Sequence, residues 1–305
     1  MATTTAKKKP VKKTTKATTK KTASKSVEAP SNTTSKKVTE SKSISTAKKR
    51  TIGPFDKLRA VHFSNFFSGI ILAVLTVLFV NPFNKDLLLD YQAKDVFIKS
   101  DAVNLGPATE VLLSLDIRYV LVVALGLTSI FSLLLATRLY KKYEESVKAG
   151  ISGLRWLLYS IVGVLILEVA LLSAGVQDVV ILKSSGALII LAGLMAWLSE
   201  RENANSKTPK KLAFYGSVFA HLLAILPLLI SLLATLIIDG QRFGWFVYVI
   251  SAAVLLGYVA TLVTLKAVIV NKKSLEYIAY EQRFVRIDQL VKFVIVLTIF
   301  SAFNK

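Results

Sequence analysis

Asp288 and Lys292 stand four residues apart in the largely apolar segment from Phe284 to Phe303. At that spacing two side chains share one face of a helix, and an acid preceding a lysine by four is the favourable order for an ion pair. An ionisable group deep in a membrane helix costs about 2.5–3.5 kcal/mol even on lenient insertion scales, so it needs a partner or a task. Residues 293–303 alone would span only ~16 Å of helix, short of the roughly 30 Å of a hydrocarbon core. A crossing helix must therefore recruit Arg286 and Asp288 as well, which places Lys292 near mid-depth. Two chemistries remain open. The pair is a self-neutralising structural couple, or Lys292 is a reactive amine that condenses with an aldehyde while Asp288 holds the compensating negative charge.

The elements that must carry this pair are long apolar runs. The chain has 305 residues, is 53% hydrophobic and has a mean hydropathy of +0.55. Seven candidate spans follow a polar start, at about 61–80, 119–137, 156–174, 179–198, 212–238, 244–270 and 284–303. Each approaches or exceeds the roughly 20 residues a bilayer requires. The expected fold is an all-α membrane protein, with residues 54–305 forming a seven-helix bundle in the lipid bilayer. Gly175-Val-Gln-Asp178 reads as a tight turn between the third and fourth spans, and Pro227 falls inside the fifth, where its ring is expected to kink a helix. The loop from Asn81 to Arg118 is too long for a plain connection. It suggests a structured cap, with a short strand at 95–99.

Charge sets the expected orientation. With the N-terminus inside, the inner loops hold thirteen Lys and Arg and the outer segments six, as the positive-inside rule requires. Residues 1–53 are rich in Lys, Thr and Ser. The first 50 hold 14 Lys and one Arg against Glu28 and Glu40, a net +13 of the chain's +20. Such a segment buries too little apolar surface to offset its ordering entropy and reads as disordered. It is either a solvated inner tail or a basic arm that contacts anionic lipid or nucleic acid. No early apolar stretch of the kind a secretory signal needs precedes residue 61.

The absence of cysteine excludes disulfides, thiolate metal sites and cysteine nucleophiles, and the two histidines, His62 and His221, leave little for a metal centre. No nucleophile–base constellation or phosphate loop is visible, so the expectation is that the chain is not an enzyme and holds no metal. Lys183 and Lys266 lie near helix ends and read as snorkelling side chains. Glu168 is the one acid that reads as well inside the first six spans.

Several stretches match one family in order and spacing. They are Leu125-Gly-Leu-Thr-Ser-Ile-Phe131, Arg155-Trp156 with Tyr159-Ser160, Gly175 and Asp178, Trp197-Leu-Ser-Glu200, Ile225-Leu-Pro227, Phe243-Gly-Trp-Phe-Val-Tyr248, Tyr280-Glu-Gln-Arg283, Leu290-Val-Lys292 and Ala302. Over roughly residues 57–303 the chain resembles the heliorhodopsins, retinal proteins of inverted membrane orientation. The resemblance implies a rhodopsin-like seven-helix bundle with a cytoplasmic N-terminus and an extracellular C-terminus in the cell membrane. It implies a homodimer and retinal as a Schiff base on Lys292. Trp156, Tyr159, Trp245 and Tyr248 match aromatic positions in or flanking the pocket.

One departure bears on the chemistry. The family pattern Arg-Trp-x-Glu-Tyr-Ser carries a helix-3 glutamate as counterion, and here that position is Leu158. Asp288, where the family more often has Ser, is the expected replacement. Glu168 is about 15 Å further along the helix, and Glu281 is three turns from Lys292. Ser132 stands where the family has a His. The leading expectation is a light-responsive sensor or regulator rather than a pump. The alternative is a retinal-free seven-helix scaffold or partner-binding protein with a structural Asp288–Lys292 pair. A small-solute transporter finds no support from paired broken helices or an inverted repeat.

Overall fold

The structure, a computed structural model, describes residues 53–94, 105–237, 243–270 and 274–304. The tail up to residue 52 and the strand expected at 95–99 lie outside the described residues. Among the described residues, six helices are long and apolar enough to cross a membrane. They are α1 (Pro54–Phe79), α2 (Ile117–Ala136), α4 (Gly153–Ser173), α5 (Val179–Ala204), α6 (Leu212–Ile237) and α7 (Trp245–Val270). A further long helix, α8 (Ser274–Ala302), carries Asp288 and Lys292. With Arg286 they make its apolar end richer in charge than the other six.

Local sequence explains where several helices start and stop. Pro54 opens α1 at a position where its fixed φ suits a helix and its missing N–H is no loss. Asp178 caps α5 by accepting from the Ile181 N–H at 2.9 Å. Gly175 has φ +80 and ends the connection from α4, with Gly175 N–H donating to Leu172 O and Val176 N–H to Leu171 O. This is the tight turn expected between these spans. Helix α6 runs through Pro227.

Two elements were not expected. The first is α3 (Tyr140–Lys148), a nine-residue helix between α2 and α4 that buries Tyr143 and Val147. The second is the form of the cap. Strands β1 (Asn84–Lys94) and β2 (Leu105–Asp116) make an antiparallel hairpin whose register shifts between Leu87 and Leu88.

That hairpin is tied to the helix ends around it. Asp116 closes β2 and caps α2, accepting from Arg118 N–H at 3.0 Å, Arg118 Nη2 at 2.6 Å and Phe83 N–H at 3.2 Å. Burial alone would raise its carboxyl pKa. Hydrogen bonds from the Arg118 side chain, then from the backbone of Arg118 and Phe83, outweigh that and hold it below the ordinary aspartate value. Arg118 Nη1 also donates to Val80 O at 3.0 Å. Asn81 N–H donates to Phe303 O at 2.8 Å, and Leu88 N–H to Gln177 O at 2.9 Å.

Helix packing depends on close approach at glycine. A Cβ on Gly69 would collide with Ser129 Oγ, and one on Gly193 would collide with Ser160 Oγ and lie 3.3 Å from Trp156 O. Gly126 has open space. Gly69→Leu and Gly193→Leu should each destabilise the fold by about 1–3 kcal/mol through overpacking, whereas Gly126→Leu should not. Thermal unfolding of the detergent-solubilised protein checks this, and an equal effect at all three positions would contradict it.

Candidate functional site

Helix α8 presents one buried stripe through Glu281, Val285, Lys292, Ile295 and Ile299. Its polar members, Glu281 and Lys292, are three turns apart and serve different clusters. Lys292 is buried, and its Nζ donates to Asp288, at 2.6 Å to Oδ1, and to Thr128 Oγ1 at 2.6 Å. Thr128 passes its own proton to Ala124 O at 2.8 Å. The amine is thus held by its own helix and by α2. Thr128 lies in the stretch matched in α2, but nothing in the sequence marks it as the partner of Lys292.

A cavity opens beside this group, lined from α1, α2, α4, α7 and α8. Leu158, Val162, Ile166, Val254 and Val291 give it apolar walls, with Trp156, Tyr159 and Tyr258 as aromatic ones. Tyr159 is fixed by His221, with Oη and Nε2 2.6 Å apart. His221 Nδ1 lies 2.8 Å from Ser217 O. A carbonyl can only accept, so Nδ1 carries the proton and Nε2 accepts from the phenol. Of the four aromatics marked from the sequence, Trp156 and Tyr159 line the cavity. Trp245 and Tyr248 do not, being 53% and 40% exposed.

At its other end the cavity meets a buried charged cluster around Arg155. This guanidinium is bonded through Nη1 to Glu281 Oε2 and through Nη2 to Glu200 Oε1. The remaining carboxylate oxygens are also occupied. Glu281 Oε1 accepts from Tyr143 Oη at 2.6 Å and Ser152 Oγ at 2.8 Å. Glu200 Oε2 accepts from Ser152 N–H and Tyr277 Oη, both at 3.1 Å. His62 Nε2 lies 3.0 Å from Tyr143 Oη. Because that phenol gives its one proton to Glu281, His62 is the donor. Burial pushes the Tyr143 phenol pKa well up, so it remains a donor.

Glu200 is 1% exposed and Glu281 fully buried, so buried acids also lie just outside the spans read from the sequence. Elsewhere, Lys183 has an exposed side chain whose Nζ donates to Glu168 Oε1 at 2.7 Å. Glu200 and Glu281 sit among the matched residues, yet in sequence they look like ordinary charges near helix ends. Only packing brings both to Arg155.

The family model described as Heliorhodopsin matches residues 60–302. The chain belongs to the heliorhodopsin family. No match was found among curated proteins. The family is in general a retinal-binding one; membership and the six apolar helices make this a multi-pass membrane protein, and all cavity-lining residues fall within the matched region. In this heliorhodopsin Leu158 lines the cavity and offers no charge.

Removing Arg155 would leave two facing buried carboxylates unmatched. Arg155→Gln should destabilise this heliorhodopsin by about 3–5 kcal/mol, and adding Glu200→Gln should recover part of the loss. Thermal unfolding of the single and double variants reads this out. An unchanged midpoint in Arg155→Gln would mean the carboxylates are not both charged.

Proposed function

We propose that this heliorhodopsin is a light sensor or regulator in which Lys292 holds retinal covalently through its amine and Asp288 is the counterion. The observation that carries this reading is a buried amine, paired with a carboxylate, at the edge of an apolar and aromatic cavity. Those features suit a long apolar aldehyde. Retinal, when bound, supplies visible absorption and a light-driven double-bond isomerisation.

The chain's own residues supply the rest. Asp288 keeps negative charge beside Nζ, and Thr128 fixes the nitrogen against α2. The apolar wall from Leu158 to Ile166 excludes water, and the His221 contact restrains Tyr159. In this reading α8 is a seventh span. Its 29 residues would reach about 43 Å, and its two central charges neutralise each other. The N-terminus is cytoplasmic, as loop charge favours. Sensing is preferred over pumping because the interior acids are spoken for: Glu200 and Glu281 are bound to Arg155 and Glu168 to Lys183.

Leu158 at the usual glutamate position favours a second reading, a retinal-free membrane scaffold with a structural Asp288–Lys292 pair. An absorption spectrum of protein expressed with all-trans retinal separates the two. The photoreceptor reading expects a visible band that is lost in Lys292→Ala, moves towards the near-ultraviolet in Asp288→Asn, and moves less in Thr128→Val. The absence of any retinal-dependent band in folded protein would overturn it and leave the scaffold.

A further inference from the structure

On the side of α8 away from the cavity, an open groove runs against α1. The two helices lie side by side in the same direction. Gln282 Nε2 meets Pro54 O at 3.5 Å, Gln289 Nε2 donates to Ser68 Oγ at 2.8 Å, and the Phe79 and Phe300 rings stand 6.3 Å apart. The groove is lined by Lys57 and Ser64 of α1 and by Gln282, Arg286 and Gln289 of α8. Lys57 and Arg286 are exposed cations. Among the described residues neither has a carboxylate partner, because Asp56 caps Gly53 N–H and Asp288 is taken by Lys292.

Beyond this polar mouth the same helix stripes become apolar and face outward. Phe67, Ile71 and Leu75 continue α1, and Leu290, Phe293 and Leu297 continue α8. A pair of unmatched cations at the head of an apolar channel complements one kind of molecule in a bilayer. We propose that this groove binds the headgroup of an anionic phospholipid, with an acyl chain lying along the α1–α8 face. Lys57 and Arg286 contact the phosphate, Ser64 and Gln282 offer further hydrogen bonds, and the Gln289–Ser68 contact closes the floor. Basic pockets between membrane helices recognise headgroups in this manner. The inference rests on α8 being a membrane span, but its test does not involve absorbance, so its failure and that of the retinal reading are separable.

The test is native mass spectrometry of the full-length protein in a non-ionic detergent, titrated with phosphatidylglycerol or with phosphatidylcholine of the same chains. One phosphatidylglycerol should be retained in preference to phosphatidylcholine. Lys57→Gln with Arg286→Gln should lower its affinity about thirtyfold, while Lys57→Arg with Arg286→Lys should keep it. Lys12→Gln, Lys13→Gln and Lys16→Gln, in the basic tail, should change little. Equal retention of the two lipids, undiminished binding in the double glutamine variant, or loss through the tail variant would overturn the proposal. Displacement by excess inorganic phosphate would also overturn it, by reducing the site to one for the free anion. Lipid selectivity and phosphate competition use the unaltered chain, so they decide the matter even if a variant misfolds.

Discussion

Arg155 sits between two carboxylates in a place with little water, and much of the bundle's order depends on that arrangement. One guanidinium reaches Glu200 on α5 and Glu281 on α8 from α4. Each acid is completed by hydroxyl or backbone donors rather than by solvent. Buried charge is tolerable only when matched and fully hydrogen-bonded, so three helices and α3 are fixed in register together. The guanidinium also lies over the Phe284 ring, 3.9 Å from its centroid, which packs the pair from its apolar side.

Lys292 follows the same rule with different consequences. Its charge is matched locally by Asp288, one turn away, and by a hydroxyl from the neighbouring helix. A match carried on the lysine's own helix needs no acid at position 158. Leu158 can then serve as wall, and the side of the cavity facing α4 is more apolar than the family pattern implies.

What could be read in advance divides along a physical line. The Asp288–Lys292 pair was legible because four residues of helix fix their distance whatever surrounds them. The six apolar helices were legible from run length, and the Gly175 turn from its residue types. Thr128, Glu200 and Tyr143 were not, because their roles depend on which helices touch and in what rotation. Trp245 and Tyr248 show the same limit, since an aromatic residue in an apolar helix carries no statement of which way it points. Helix α3 was hidden because it is short and charged, with only Tyr143 and Val147 buried. The hairpin was hidden because the long loop gave a reason for structure but no register.

Contacts at the hairpin and between the helix ends beside it set how the molecule can deform. Asn81 to Phe303, Arg118 to Val80 and Leu88 to Gln177 join the end of α1, the end of α8, the start of α2 and the α4–α5 turn. With those ends clamped, a push at Lys292 cannot slide α8 along its axis without breaking several contacts at once. At its opposite end Glu281 is held by Arg155, Tyr143 and Ser152, so α8 is fixed on both sides of Lys292 and the strain of a push there falls on the stretch between.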